Sequence, residues 1–567
     1  MQSFLIASPV TEDFKAALAG LHPITQQLLY NRGIRDTETA TTFLSPSYEA
    51  HLHDPFLLHQ MDVAVERILA AITNQECIVI FSDYDCDGIP GAVVLHDLFA
   101  VIGYTNTVHV IPHRHYDGFG LSVKAIEAMA AEYHPAVVIT IDCGTGDYDA
   151  IAKANALGID VIVTDHHEPK ETLPEALAIV NPKLGAYPFP DLCGAAVAFK
   201  LAQAVISKGG FEVPVGTEKW WLDMVGLATI ADMVPLTGEN RVLALYGLKV
   251  LRKSRRPGLQ QLLRAQRANQ AYLTEDDIGF TIGPRINAAS RMDTPEDAFR
   301  LLATTDEGEA GSLVTHLEQL NTDRKTAGIL ITKDIHKRLK LSVDIPSVMV
   351  MGNPEWRPSL VGLAANKLAE EHKRPAFLWG RDGNGSYKGS CRSGGGISVI
   401  TIMDAASDVF VEFGGHHHSG GFTIAAERIH TFSDALIAAY ERLGEAAVIT
   451  ELPTVDAELT LDVIDESFIK GQAKCAPFGA ANPKPLYLFR NITPTKAAVF
   501  GKTKEHTKLS FETSGRAREA IAFFKTPEQF AHVPVVGESL SLLAHLEQSF
   551  FMGRLETRLR IDDIVYM

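Results

Sequence analysis

No run of this 567-residue sequence reaches the ~18 consecutive apolar residues that a membrane-spanning helix needs. The N-terminus, MQSFLIASPVTEDF, lacks a basic start and carries acids by residue 12, so no signal peptide is expected. Cysteine is sparse. The six (77, 86, 143, 193, 391 and 475) are scattered without a C-x-x-C pair, which excludes a disulfide frame or a zinc ribbon and fits reduced thiols in the cytoplasm. Positive charge is in deficit too. A net charge of -17 argues against a protein that coats nucleic acid non-specifically, because phosphate binding needs local positive charge. Internal repeats and low-complexity linkers are missing as well. What remains is ordinary globular composition, 46% hydrophobic and 21% charged, long enough for about three or four domains at about 150 residues each. Two stretches run against the acidic trend: LRKSRRPGLQQLLRAQR (251–267), with six bases and no acid, and KDIHKRLK (333–340). A solvated helix face is the plain reading of each, and a basic track on an acidic enzyme is the other.

Four apolar runs end alike. CIVIF (77–81) meets SDYDCDG, AVVITI (136–141) meets DCGTG, IDVIV (159–163) meets TDHHEP, and LAIV (177–180) meets NPK. Short, wholly apolar runs suit parallel strands buried on both faces. Between them, 91–103, 121–133 and 147–158 show helical spacing. This alternation predicts an α/β domain with a doubly wound parallel sheet, whose sites form at the carboxyl ends of strands near a switch in strand order. From about 240 to 340 the pattern turns helical, and a smaller α/β unit follows from SVMVMGN (347–353). Beyond PFGAANPKP (477–485), about 90 residues of short alternating strands predict a small β-barrel of the oligonucleotide-binding kind.

Every acid and histidine cluster falls at those strand ends: Asp83, Asp85 and Asp87, then Asp142, then Asp165, His166 and His167. Asp232 adds a carboxylate within the mainly apolar GLATIADMVPL, where an unpaired acid is costly. Singly, each has a plain alternative: a helix cap for Asp142, a structural pair for the histidines, a calcium-loop fragment for D-x-D-x-D-G. The last fails because Val94 stands where that loop needs its bidentate glutamate. Jointly, an oxygen-rich set with imidazole suits Mn²⁺ or Mg²⁺, and there are enough ligands for two ions sharing a carboxylate. Cys86 and Cys143 alternate away from these ligands. Downstream, PRINAASRM (284–292) offers Arg285, Asn287 and Arg291, YKGSCRSGGG (387–396) offers Ser390 and Arg392, and FGGHHHSGGF (413–422) offers His416. Among glycines such groups could clamp the non-bridging oxygens of a phosphodiester.

SDYDCDG, IDCGTG, TDHHE and ADMVPL resemble motifs I to IV of the DHH phosphoesterase superfamily, and PRINAASRM, KGSCRSGGG and FGGHHHSGG resemble the motifs of its companion DHHA1 domain. Within the superfamily the chain is most similar to the RecJ-like single-strand-specific exonucleases. RGI, FLSP and DPFLL occur in that order near the start, PFGAANPKP resembles the joint before their oligonucleotide-binding barrel, and a strand-rich tail follows DHHA1. The resemblance implies an entry segment (1–50), a DHH catalytic domain (51–240), a helical connector (241–342), a DHHA1 domain (343–450) and an OB-like nucleic-acid-binding domain (451–567). It implies metal ligands at Asp85, Asp87, Asp142, His166 and Asp232, with Asp142 as the bridge and Asp83 as a further member. His167, beside Asp165, matches the histidine that meets the scissile phosphate or orients the nucleophile. Arg285, Ser390 and Arg392 match a pocket for a 5′-terminal phosphate, with Asn287, Arg291 and His416 nearby. The implied activity is metal-dependent hydrolysis of single-stranded DNA, 5′ to 3′, releasing mononucleotides in repair and recombination. The expected form is a monomer, with single-strand-binding protein and a helicase as candidate partners. An oligoribonuclease or polyphosphate phosphoesterase of the same superfamily, and a non-catalytic replication-associated binding protein, are the alternatives. The chain departs from the family pattern at Arg357 and Ser359, where W-H-P-G-V is usual, at Cys391 in place of glycine, and at Ser419 in place of alanine.

Overall fold

A computed structural model describes residues 4–341, 344–394, 396–444, 452–501, 503–513, 516–530, 532–551 and 554–565. The expected boundaries at 342/343 and 450/451 lie outside the described residues, as does Gly395 of the glycine-rich stretch.

The four apolar runs form strands β1 (Ile78–Ser82), β3 (Val137–Ile141), β4 (Asp160–Thr164) and β5 (Ala178–Val180), each almost wholly buried. A fifth strand, β2 (Thr107–Val110), adds the edge that apolar-run reading missed, because TVHV mixes polar residues and is only half-buried. All neighbours are parallel, in the order β2-β1-β3-β4-β5. The order reverses between β1 and β3, so the switch-point crevice opens at their carboxyl ends, where Asp83–Asp87 and Asp142 stand.

Helices cover both faces. On one, α1 (Gly88–Val101), α4 (Gly194–Gly209) and α5 (Leu222–Ala231) are apolar nearly all round, as helices buried on several sides must be. On the other lie α2 (Val123–Tyr133) and α3 (Tyr148–Ala156), which are amphipathic. The first core does not stop at residue 240: it runs from Tyr48 to Leu320, through α6 (Gly238–Leu251) and α7 (Gly283–Met292) into α8 (Glu307–Leu339). The connector thus begins as part of the catalytic body. At 33 residues, α8 spans about 50 Å, and its far half packs on α9 (Pro358–His372) of the second α/β unit through Ile331, Ile335, Leu360 and Leu368.

That unit holds five strands: β6 (Met349–Gly352), β7 (Ala376–Arg381), β8 (Tyr387–Arg392), β9 (Phe410–Gly415) and β10 (Ser419–Ile424), in the order β9-β10-β8-β7-β6. The tail forms one seven-stranded sheet from Ala457–Leu459 to Arg554–Val565. The N-terminal segment docks on this tail. Leu5–Ile6 pairs with Thr454–Val455, Ile24 and Leu28 enter the same core as Phe468 and Phe478, and Arg32 bonds Asn482 and Pro483. Arg241 ties the tail to the catalytic body by donating to the carbonyls of Phe43, Cys475 and Ala476.

Candidate metal centre and phosphodiester cleft

The loop leaving β1 must turn sharply into α1. Gly88 permits this, since a Cβ there would lie 2.4 Å from the Asp83 carbonyl oxygen. Asp85 Oδ1 accepts from the amides of Asp87 (2.8 Å) and Gly88 (3.2 Å), fixing the loop from within. Asp87 is held from across the sheet: its two oxygens accept from Gly194 N (2.6 Å) and Ala195 N (2.7 Å) at the start of α4, where the helix dipole favours negative charge. Gly194 is needed for a second reason. A Cβ there would lie 2.6 Å from Asp142 Cβ. Asp142 itself has φ 61°, a left-handed conformation that costs a non-glycine residue and recurs at functional sites. Its amide is held by Thr164 O at 2.9 Å.

These loops bring the strand-end residues together as three overlapping groups: Asp83, Asp85 and Asp142; Asp87, His166 and Asp232; and Asp142, His166 and His167. The donor atoms within each group lie within 4.8 Å of one another. His166 Nε2 stands 3.1 Å from Asp142 Oδ1, 3.6 Å from Asp87 Oδ2 and 3.7 Å from Asp232 Oδ2. Asp142 and His166 are therefore the hinge between the first two groups.

Charge is stored here at a cost. Burial pushes Asp142 well above the ordinary carboxylate range, and the charges of Asp87, Asp85, Asp83 and Asp232 push it further. Asp83 is raised by burial and by Asp85, and Asp232 is raised to about 8 by burial and by Asp87. Burial lowers His166. Asp83 Oδ1 and Asp142 Oδ1 are buried without a hydrogen bond among the described residues. Hard oxygen donors with one or two imidazoles, two of the oxygens unsatisfied, fit divalent cations such as Mn²⁺ or Mg²⁺. Cys86 and Cys143 pack into the apolar cores on either side of the sheet, away from the donor set.

Asp165 does a different job. Its Oδ1 accepts from His167 Nδ1 (2.7 Å) and His166 N (2.8 Å), and its Oδ2 accepts from Thr145 N (2.9 Å). Burial opposes its ionisation, but the His167 bond and the Thr145 donors hold it below the ordinary range. Burial disfavours charge on His167 as well, yet Asp165 raises it to about 9. The ring is fixed through Nδ1, while His167 borders a cleft of ≈ 760 Å³ between the first α/β domain and the second. Tyr84, Arg114, Phe119, Ser359 and Lys388 also line it.

The expected phosphate clamps divide. Arg285 is engaged within the protein: its guanidinium donates to Glu318 (2.7 Å), to Thr281 O (2.9 Å) and to Gln266, so it braces α7 against α8 and the preceding helix. Arg291 donates to Ser359 O at 2.6 Å and is lowered to about 9 by burial and by Arg114. Arg392 donates to Ser390 Oγ at 2.8 Å beneath Gly362 of α9. Asn287 is half-buried on α7, and His416 is exposed in the β9–β10 turn. Two of the departures gain a structural account. Ser359 Oγ donates to Arg291 O (3.0 Å) and Arg357 donates to Met292 O (3.1 Å), stapling α9 to the end of α7. Cys391 is buried against Met403. The basic run 251–267 is also partly spent: Arg256 bridges Asp97 and Asp223, and Arg252 bonds Leu273 O.

Residues the sequence reading passed over include the Gly194 and Ala195 amides, signalled by CGAA at a helix start. Arg114 and Phe119, in the IPHRHYDGFG segment after β2, were passed over too. Phe119 is exposed and meets the His167 ring edge-on at 5.5 Å. Arg114 lies over the Tyr84 ring at 4.8 Å.

Carboxylates and imidazoles gathered at the switch point of a parallel sheet, opposite a second α/β domain, define a phosphoesterase of the DHH class. Residues 77–229 match the DHH family N-terminal domain, 346–442 the DHHA1 domain and 455–563 the RecJ OB domain. The single-stranded-DNA-specific exonuclease RecJ of Bacillus subtilis is 32% identical over 571 residues, spanning 98% of this chain and 70% of that protein. RecJ of Salmonella typhimurium is 32% identical over 577 residues, 96% of each chain. The crystal structure of Thermus thermophilus RecJ in complex with Mn²⁺ superimposes with a TM-score of 0.80 at 26% identity, over 100% of this chain and 79% of that one. The chain belongs to the RecJ family of single-stranded-DNA-specific exonucleases, which are hydrolases.

Proposed function

We propose that the protein degrades single-stranded DNA from its 5′ end, releasing mononucleotides for DNA repair and recombination, with two Mn²⁺ or Mg²⁺ ions held by Asp83, Asp85, Asp87, Asp142, His166 and Asp232. The observation that carries this reading is the pair of donor groups joined through Asp142 and His166, whose Oδ1 and Nε2 atoms lie 3.1 Å apart, beside His167, which borders the interdomain cleft. The T. thermophilus relative carries Mn²⁺ in one crystal structure and Mg²⁺ in another. When bound, such ions supply Lewis-acid activation of the phosphodiester and of water.

The chain's own residues do the rest. Asp165 fixes His167 through Nδ1, which leaves Nε2 to donate to a phosphoryl oxygen as charge gathers there. Arg114 and Lys388 line the same cleft and offer further cationic donors to phosphate, and Phe119 presents an exposed ring on which a terminal base can stack. Ser390 and Arg392, further along the strand whose Lys388 lines the cleft, are the candidates for the terminal phosphate. The tail domain holds the strand behind the cut. Digestion of single strands labelled at the 5′ or the 3′ end, with Mn²⁺ or Mg²⁺, tests the proposal. Mononucleotides appear first from the 5′ label. First release from the 3′ label would reverse the polarity, and cleavage confined to dinucleotides or polyphosphate would replace the substrate.

A further inference from the structure

The basic stretch 333–340 is not absorbed by the catalytic site. It lies on the far half of α8, which faces α9 across a groove of ≈ 980 Å³. Arg324, Lys325, Lys333 and Lys337 come from α8, Lys340 from its C-cap and Lys367 from α9, and no acidic residue lines the groove. The opposite flank of α8 is different: the cleft there is lined by three acids, Asp323, Asp334 and Glu355, against one cation, Arg357. One helix thus carries segregated charge in a protein of net charge -17.

Helix capping does not explain the basic face. Cations near a helix C-terminus gain from its dipole, which accounts for Lys337 and Lys340, but the effect fades beyond the last turn. Lys325 and Lys333 lie further in, and Lys367 is on the other helix. Neither do internal ion pairs: Lys325, Lys333, Lys337, Lys340 and Lys367 have no carboxylate partner within salt-bridge distance among the described residues, whereas His336 meets Glu371 at 3.3 Å. Lys325 is held below its ordinary range by burial and by the nearby charges of Arg285 and Arg324, which outweigh the opposing charge of Glu318, so cations are crowded here. Apolar side chains interleave them. Ile329 and Leu363 are about half exposed and Leu341 is largely exposed. Positions 324 to 340 extend about 24 Å along the helix, and i,i+4 steps such as Lys333 to Lys337 repeat the charge about every 6 Å.

We propose that this groove is a second binding lane for single-stranded nucleic acid, gripping phosphates with lysines and unstacked bases with Ile329, Leu341 and Leu363. A duplex would hide the bases from those apolar contacts. The lane adjoins the catalytic side. Gly362, next to Leu363, approaches so closely that a Cβ would lie 3.0 Å from Ser390 Oγ and 3.2 Å from an Arg392 terminal nitrogen. This inference rests on the single-strand reading of the cleft, but its test does not need cleavage.

The test compares full-length protein with the triple variant K333Q/K337Q/K367Q. A control, K15Q/K208Q/K219Q, makes the same change in net charge at exposed ion pairs elsewhere. Binding of a labelled long single strand is followed by fluorescence anisotropy in EDTA across a salt series, and Mn²⁺-dependent cleavage of a dinucleotide is measured separately. The groove variant loses about tenfold in affinity and its log–log salt slope falls by about 2, since each lost phosphate contact removes about 0.7. The control matches the parent, and all three proteins cleave the dinucleotide equally. An unchanged slope and affinity in the groove variant would overturn the proposal. So would retained DNA affinity with lost binding to poly-glutamate, which would assign the groove to an acidic protein. A parent that binds the strand in EDTA but cleaves nothing would sink the proposed function and leave the lane standing.

Discussion

The acidic crater at the β1 and β3 strand ends and the arginines of the α7–α9 region are both charged clusters in signature motifs, and they are built in opposite ways. In the crater, backbone amides position the carboxylates and leave oxygen lone pairs facing inward, two of them without a hydrogen bond among the described residues. In the second region, the guanidiniums of Arg285 and Arg291 already donate to protein acceptors. Unspent charge marks a ligand site, and spent charge marks architecture. The contrast predicts which substitutions stop chemistry and which loosen the body.

Asp142→Ala removes the carboxylate shared by two donor groups, so turnover on single strands falls to background with the circular dichroism spectrum retained; near-normal turnover would break the contrast at its strongest point. Gly194→Ala drives a methyl into Asp142 without deleting any ligand. A displacement on the ångström scale costs about 10²-fold in rate, read as a fall in kcat and in Mn²⁺ affinity together. Asp165→Ala frees the His167 ring. The expected loss is about 10–100-fold, typical of a residue that orients another, and it falls on kcat rather than on strand affinity. Arg285→Ala does the reverse. It unpairs Glu318 and lowers stability by about 1.5–3 kcal/mol in denaturant titration, while KM for a single strand shifts little. A large KM effect with unchanged stability would return Arg285 to the substrate.

The same distinction explains what the sequence disclosed. The crater was legible because each ligand follows directly on a buried strand, and local order in the chain becomes local order in space. The edge strand at 107–110 escaped because His109 and Thr107 break the apolar run. Partners of the arginines could not be read from pattern: Arg256 meets Asp97, 159 residues away, and Arg285 meets Glu318 across 33 residues. Nor could the docking of the N-terminal segment on the tail, where Thr25 Oγ1 donates to Gly471 O across 446 residues. That contact bears on truncation as well. Removing the tail strips Ile24 and Leu28 of their core partners, so loss of strand binding in such a variant has to be separated from loss of fold.

Asp142 and His166 are placed to join two metal positions. Calorimetric titration of Mn²⁺ into metal-free protein tests it most directly. Two ions per chain are expected in the parent protein, with both weakened in Asp142→Asn. A single ion in the parent, or an Asp142→Asn isotherm that matches it, would rule out a shared Asp142 bridge.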